Sequence, residues 1–209
     1  SFDPKELGSK ASSIVKIIDQ KFETPDGFII PCSVFVNTLG DQAKLFSQRI
    51  QNLQFDDLNL VDEISEFAYT KISSLKIDQR ILSEIESEYS RIGGGSVSVR
   101  SSSVSEDLVG VSFAGQYRTE LNVVGMENVV SAILRVWAST FSSSVISYRI
   151  QHNLLNAPYD MAVLIQKQLN PDVSGVMFTR NPINGDRRLI ISAAYGVGEG
   201  VVTGEAESD

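Results

Sequence analysis

The chain has few of the side chains that metal and redox sites require. Its 209 residues include one cysteine, Cys32, and one histidine, His152. A single cysteine excludes an internal disulfide and a cysteine-rich zinc site, because both need more than one thiol. A single histidine excludes any mechanism that needs a pair of imidazoles. We expect Cys32 to be a small buried side chain, and His152 to lie at the surface or to cap a helix.

An excess of positive charge and long apolar runs are also absent. The chain has 18 Lys and Arg against 26 Asp and Glu, for a net charge of −8, which argues against a broad nucleic-acid surface. No run of about 18 apolar residues exists, and the first residues contain no apolar signal core. We therefore expect a cytoplasmic protein that contacts neither nucleic acid nor a membrane.

What remains is an ordinary globular composition, with 42% hydrophobic and 21% charged residues. The length suits one large domain or two small ones, at about 100–200 residues per domain. The chain starts without methionine and stops at the polar residues 207–209. We therefore expect it to be an excerpt of a longer polypeptide.

The spacing of apolar residues divides the chain into two unlike parts. In residues 1–95, apolar side chains recur every three or four positions, which predicts a mostly helical subdomain. A short strand is predicted at residues 28–30, before a proline. The three glycines at 93–95 end this part. Its clearest helices are predicted at 40–54, 59–75 and 77–92.

Residues 96–209 are predicted to form a sheet-containing subdomain. Apolar residues there alternate with polar ones or form short continuous runs, as strands do. A helix is predicted over residues 126–151, and Asn184-Gly185-Asp186 is a hairpin turn signal. Strands joined by short turns predict an α+β class, with a mainly antiparallel sheet and packed helices. The predicted strands are 96–100, 117–123, 162–166, 175–179 and 188–192.

An arginine at the end of a predicted strand opens a hydroxyl-rich segment. Arg100 is followed by three serines, residues 101–103, and the segment continues to Gly115. A guanidinium offers a fork of donors to phosphate oxygens, and small residues let backbone N–H groups approach an anion. No Walker-type loop is present. The pattern predicts a polyphosphate site, but it can equally be a solvated loop in which Arg100 pairs with Glu106 or Asp107.

Short motifs in a fixed order extend this reading to most of the chain. Val-Arg-Ser-Ser, Glu-Asp and Ser-Phe-Ala-Gly-Gln stand within residues 99–116, and Ser-Gly-Val-Met-Phe-Thr stands at 174–179. Gly8-Ser9-Lys10-Ala11 stands near the start of the chain. With these motifs the chain resembles the N-terminal nucleotide-binding domain of the phosphoenolpyruvate synthase and pyruvate phosphate dikinase family. The form of the motifs is similar to the synthase and rifampicin phosphotransferase branches.

The resemblance implies an ATP-grasp-like fold and an ATP site on named residues. Lys10 and Arg100 are expected to hold the phosphates, and Arg100 to stabilise the charge that develops during catalysis. Gly115 is expected to let the backbone close over the phosphates, and Thr119 to add a hydroxyl nearby. The residues alone leave plainer roles open, since Lys10 can be a surface lysine and Thr119 an ordinary strand residue.

The resemblance also assigns the opposite end of the nucleotide. Gln166 is expected at the adenine-side hinge, with the backbones of Gln168 and Leu169 as purine contacts. Glu199, in a glycine-rich turn, is expected to approach the ribose or the substrate. Gln166 can alternatively cap a strand end, and Glu199 can be a loop carboxylate.

The family's reaction implies further cofactors and partners. In that reaction the β-phosphoryl group of ATP passes to a histidine on a mobile domain and then to an acceptor such as pyruvate or an antibiotic hydroxyl, giving AMP and phosphate. The Mg²⁺ ligands of the family lie beyond the last element present here, so we expect none before Asp209. ATP, Mg²⁺ and phosphohistidine and acceptor domains, in the same or a partner chain, are the implied partners.

Two functions follow from this resemblance. The first is the front part of an ATP-dependent phosphotransferase, truncated at its C-terminus and inactive by itself. The second is a non-catalytic module that senses a nucleotide or binds a partner chain. The acceptor cannot be read from these residues, because fold alone does not give function.

Overall fold

The computed structural model describes residues 3–54, 57–104, 113 and 115–196. The chain forms two compact units, residues 1–168 and 169–209. Within the described residues, helices and antiparallel sheets occur together, which confirms the predicted α+β class. The predicted subdivision at residue 95 stays a prediction.

A sheet of four antiparallel strands organises the first unit. The strands are Gly27–Ile30 (β1), Val97–Ser102 (β2), Thr119–Val123 (β3) and Ala162–Lys167 (β4), in the spatial order β1-β4-β2-β3. At the centre, β2 pairs with β4 along its whole length and with β3 on its other side, where the pairing is irregular between Val97 and Val99. Strand β1 pairs with the other edge of β4, which confirms the strand predicted at residues 28–30.

Seven helices accompany this sheet in the described residues. The predicted helices at 40–54, 59–75 and 77–92 are confirmed, with ends that differ by a few residues. The helix at Cys32–Leu39 was not predicted, because Val34 and Val36 alternate with other residues as the side chains of a strand do. The helices are Pro4–Asp19 (α1), Cys32–Leu39 (α2), Asp41–Ile50 (α3), Leu58–Ser73 (α4), Gln79–Arg91 (α5), Met126–Ala138 (α6) and Ser143–Gln151 (α7).

The prediction of one continuous helix over 126–151 is wrong at its centre. A 3-10 turn at Ser139–Phe141 separates α6 from α7, and the Ser142 side chain caps α7 by accepting from Val145 N at 3.4 Å. By length and composition alone this stretch could cross a membrane, but 61% of its most apolar window is buried inside the protein. Its apolar side chains, among them the fully buried Trp137, form part of the core.

The main core lies between one face of the sheet and the helices. Val163 and Ile165 of β4 belong to it, together with most of the buried side chains of α6. Leu164, which points to the opposite face because side chains alternate along a strand, packs instead with Leu7 and Ala11 of α1. Helix α1 therefore covers the second face of the sheet.

The second unit contains a β-hairpin. Strands Val173–Phe178 (β5) and Ile190–Tyr195 (β6) pair antiparallel, with Val173 opposite Tyr195. Gly185 lies in the connection with a φ of +75°, which glycine adopts without strain. The predicted hairpin is confirmed, although the strand bounds differ from the prediction by up to three residues.

Candidate functional site

Helix α1 approaches the end of β2 closely because residue 8 is glycine. The φ of Gly8 is +69° and its ψ is 176°, so the helix is kinked there. A Cβ at this position would lie 2.0 Å from the carbonyl oxygen of Ser102. Any other residue would therefore push the helix away from the strand, and the kink lets a new helical segment begin beside β2.

Hydrogen bonds of buried serines connect this segment of α1 to the end of β2. The Ser102 hydroxyl donates to Leu7 O at 2.7 Å and accepts from Ala11 N at 3.0 Å. The backbone N–H and the hydroxyl of Ser9 both donate to Ser103 O at 3.1 Å. Ser102 and Ser103 have no exposed surface, so the alternative of a solvated serine loop is wrong for these residues.

Lys10 lies at the start of the helical segment that follows the kink. Its side chain is half-buried, and Nζ lies 3.4 Å from the Ser101 hydroxyl. The N-terminus of a helical segment carries a partial positive charge. The ammonium and the helix end therefore raise the electrostatic potential beside the last residues of β2, which suits an anion.

Three of the predicted site residues share the sheet face that α1 covers. Arg100 on β2 stands opposite Thr119 on β3 and opposite Leu164 on β4. Gln166 lies two residues beyond Leu164, so its side chain points to the same face. The sheet register thus brings together residues that are up to 66 positions apart in the sequence.

Arg100 and Gln166 are in direct contact. Arg100 Nη1 donates to Gln166 Oε1 at 3.2 Å, and Gln166 Nε2 donates to Pro25 O at 3.3 Å. The amide of Gln166 is thereby fixed, with its oxygen towards the guanidinium. The predicted alternative, a pairing of Arg100 with Glu106 or Asp107, falls on residues outside those that the structure describes.

A cavity of about 600 Å³ borders Gln166 on this face. Its size is that of a small-molecule pocket. The walls are mainly apolar, and two carboxylates, Asp3 and Glu6, line it as well; Glu6 Oε2 accepts from Ser33 N at 3.0 Å. The apolar walls come from α1, β1 and β4: Leu7, Ile14, Val15, Ile18, Phe28, Ile29 and Leu164.

Gly115 lies in a turn that a buried aromatic ring holds. Its φ is +75°, and a Cβ there would meet no atom within 4 Å. Gln116 N donates to Phe113 O at 3.0 Å, and the Phe113 ring has no exposed surface. An open backbone at a positive φ is a suitable place for an anion to approach N–H groups.

The remaining predicted contacts, Gln168, Leu169 and Glu199, stay predictions. Gln168 N donates to Ser96 O at 2.9 Å, and Gln168 Oε1 accepts from Asn122 N at 3.4 Å. Leu169 begins the second unit and is 58% exposed. Glu199 lies outside the described residues.

The sequence assigned no chemical role to Cys32 and His152, and the structure shows where each of them lies. Cys32 is buried, and this burial, with the charges of Asp160 and Glu6, raises its pKa to about 12, so the thiol stays protonated. His152 is exposed at the C-terminal end of α7. Both expectations are confirmed. Among the described residues no group of three or more His, Cys, Asp and Glu could hold a metal ion.

The sequence reasoning missed three contributors to this region. Gly8 was noted only within a motif, although an isolated glycine inside a helical pattern is a signal for a close approach or a kink. Arg149 and Asp160 were not singled out. No local sequence pattern distinguishes those two, because what matters is the contacts that the fold gives them near residues 103 and 113.

Comparisons with known proteins identify the family of this chain. The family model described as pyruvate phosphate dikinase, AMP/ATP-binding domain, matches residues 4–209. A probable phosphoenolpyruvate synthase of Archaeoglobus fulgidus is 33% identical over 97% of this chain, and a rifampicin phosphotransferase of Bacillus cereus is 31% identical over 97%. An uncharacterised phosphotransferase of Bacillus subtilis is 36% identical over 97%. The chain spans 28%, 24% and 23% of these relatives, respectively.

Proposed function

The chain belongs to the pyruvate phosphate dikinase AMP/ATP-binding domain family, and from this premise we propose that it binds ATP for a phosphotransferase of the phosphoenolpyruvate synthase type. The contact between Arg100 and Gln166 carries the proposal. A neutral amide orients the guanidinium without neutralising it. Among the described residues no carboxylate lies within ion-pair distance of Arg100.

The phosphates bind on the side of Lys10 and Arg100. Lys10 supplies a point charge and Arg100 a rigid fork of donors. Lys10 contacts Ser101, the residue that follows Arg100 on β2, and Arg100 contacts Gln166 on β4. The hydroxyl of Thr119 and the open backbone at Gly115 add donors on this side. The helical segment that begins after Gly8 directs its positive end towards the same residues.

The base binds on the side of Gln166. The cavity there is apolar along α1, β1 and β4, as a flat uncharged ring prefers. The carboxylates of Asp3 and Glu6 at its wall repel phosphates, which favours this orientation of the nucleotide over the reverse one. In this proposal the fold is ATP-grasp-like, and the four-stranded sheet forms one wall of the nucleotide site.

In this proposal the β-phosphoryl group of ATP passes to a histidine on another domain and then to an acceptor, pyruvate or a small-molecule hydroxyl. AMP and inorganic phosphate are released. Arg100 and Lys10 stabilise the charge on the phosphoryl oxygens as the bonds to them change. Mg²⁺ would neutralise charge between the phosphates, and among the described residues no group of three or more His, Cys, Asp and Glu could hold it.

Calorimetric titration of the full natural polypeptide with ATP in the presence of Mg²⁺ tests this proposal. Arg100→Ala removes the fork, and we expect ATP binding to weaken by about tenfold or more, the usual effect of losing a charged hydrogen bond. The matched control is Arg80→Ala, because Arg80 is exposed on α5 and its side chain has no contact with this sheet face. We expect the control to bind ATP as the wild type does.

Equal ATP affinity in Arg100→Ala and in the wild type, or no binding by the wild type, would overturn the proposal. If ATP binds and Arg100 matters, the formation of AMP and phosphate with pyruvate and with hydroxyl compounds distinguishes the enzyme from a sensing module. Binding without any transfer favours the module.

A further inference from the structure

A cluster of buried and half-buried polar and aromatic side chains lies against residues 103–104 and against residues 113 and 115–117. These two flanks stand on either side of residues 105–112, which are outside the described part of the chain. Both flanks contact one stretch, residues 148–160, which runs from the end of α7 towards β4. One part of the core therefore contacts both flanks, of which the first follows Arg100 and the second contains Gly115, two residues to which phosphate contacts are assigned above.

Asp160 holds the first flank. Its Oδ1 atom accepts two hydrogen bonds, one from the Ser103 hydroxyl at 2.9 Å and one from Val104 N at 3.2 Å. Ser103 is fully buried and its carbonyl also receives the donors of Ser9. The carboxylate therefore fixes the point at which the backbone leaves β2.

Phe113 holds the second flank. Its ring centroid lies 5.6 Å from that of Tyr117 in a stacked arrangement and 4.6 Å from that of Tyr148 in an edge arrangement. Such aromatic pairs contribute about 0.5–1.5 kcal/mol beyond the area that they bury. The ring is thereby locked between α7 and the start of β3, two residues before Gly115.

Arg149 connects the two flanks. It has no exposed surface, and its guanidinium carbon lies 3.9 Å from the Tyr159 ring centroid and 5.6 Å from that of Phe113. Nη1 donates to Ala157 O at 2.9 Å and Nη2 to Pro158 O at 3.0 Å. These hydrogen bonds offset part of the cost of burying a cation and fix the backbone just before Asp160, whereas the buried Nε of Arg149 has no hydrogen-bond partner among the described residues.

We propose that Asp160 and Arg149 are positioning residues for the phosphate-binding end of the nucleotide site. This inference rests on the proposed function. Backbone N–H groups and hydroxyls bind an anion well only when they are held in place beforehand. Asp160 acts on the flank that follows Arg100, and Arg149 acts through Phe113 on the flank that carries Gly115.

The test compares ATP with adenosine, because adenosine has the base and the ribose but no phosphate. Asp160→Ala removes the acceptor for both donors of the first flank. We expect it to weaken ATP binding about tenfold, because two hydrogen bonds that position the first flank are lost. Adenosine binding should stay within about twofold of the wild type, because adenosine has no phosphate for this end of the site. Phe113→Leu keeps an apolar side chain but loses the stacking, and should lower the ATP-to-adenosine affinity ratio in the same direction.

The conservative variant Asp160→Asn separates positioning from charge. Its amide oxygen can accept both hydrogen bonds, so we expect it to restore the wild-type ratio to within about threefold. Tyr89→Phe is the matched control, because it removes a buried hydroxyl that donates to Gly95 O and accepts from Gly125 N at the other end of the sheet. Tyr89→Phe should lower the free energy of unfolding without changing the ATP-to-adenosine affinity ratio.

The first measurement in the series is ATP binding by the wild type in its full natural polypeptide. Absence of that binding overturns the proposed function and this inference with it. If the wild type binds ATP and Asp160→Ala keeps the wild-type ratio, the inference alone is wrong. An equal loss of ATP and adenosine binding also overturns it, because that is the result of general destabilisation. If Asp160→Ala does not fold, Ser103→Ala removes one of the two donors and must lower the ratio by itself.

Discussion

The guanidinium of Arg100 donates to the amide oxygen of Gln166 across two neighbouring strands, at 3.2 Å. The same amide donates to Pro25 O, so it cannot rotate away without losing a second hydrogen bond. The arginine is therefore oriented by a neutral partner that is itself held from the other side. This relationship can be tested by giving the partner a charge.

Gln166→Glu should weaken ATP binding, with some loss of stability because the carboxylate cannot donate to Pro25 O. A carboxylate at this position forms a charge-assisted hydrogen bond with Arg100 and competes with the phosphates for it. We expect the dissociation constant for ATP to rise about tenfold or more, measured by calorimetry. Gln79→Glu, at an exposed position on α5, adds the same negative charge and should change little. Unaltered ATP affinity in Gln166→Glu would mean that Arg100 does not contact the phosphates.

Gly8→Ala should destabilise the protein more than Gly94→Ala does. Both glycines have a positive φ, +69° and +61°, but a Cβ at Gly94 meets no atom within 4 Å and one at Gly8 meets Ser102 O at 2.0 Å. The left-handed backbone alone costs about 1–2 kcal/mol, and overpacking adds about 1–3 kcal/mol at Gly8. Urea unfolding of the two variants measures the difference. Equal losses would show that α1 can move away from β2 without cost.

Periodicity and motifs predicted much of this fold but not its non-local contacts. The alternation around Val99 predicted β2, and the motif resemblance selected Arg100, Thr119 and Gln166. Their proximity depends on the order β1-β4-β2-β3, which places β4 beside β2 although other elements intervene in the sequence. Local patterns contain no information on such an order.

Two further features of the fold could not be predicted from the sequence, for physical reasons. Arginine is rarely fully buried, so no residue pattern placed Arg149 in the core. The break between α6 and α7 depends on Ser142 as a cap, and a serine inside an apolar helical pattern is too common to indicate one.

Glu120→Gln should lower the free energy of unfolding near neutral pH. In acid the wild type loses the same contribution, so the two proteins should become similar in stability. Glu120 accepts from Arg135 Nε at 2.8 Å and Nη2 at 3.1 Å, and it also pairs with Arg118. Hydrogen bonding from Arg135 lowers the pKa of Glu120 below its usual value of 4.5. The contribution is therefore present above pH 4.5 and is lost as the pH falls through the lowered pKa. Thermal unfolding of both proteins across this range should show the difference between them shrinking in acid.

Asp160 should have the opposite pH dependence. Burial raises its pKa above the usual value of 3.8, against the hydrogen bonds from Ser103 and Val104 N and the charge of Arg149, which lower it. The folded protein therefore holds this proton more tightly than the unfolded chain does. The stabilisation is fully present below pH 3.8 and is lost as the pH rises through the raised pKa.

Asp160→Asn does not titrate, so the wild type should lose stability relative to this variant as the pH rises through that window. Denaturant unfolding of both proteins at a series of pH values measures this difference. Tyr117 and Cys32 also interact with the Asp160 charge, but their own pKa values are raised, so they remain protonated throughout the window. Glu120→Gln in the same series gives a trend of the opposite sign. A stability difference that is constant with pH would mean that the Asp160 carboxyl has the same proton affinity in the folded and unfolded chains.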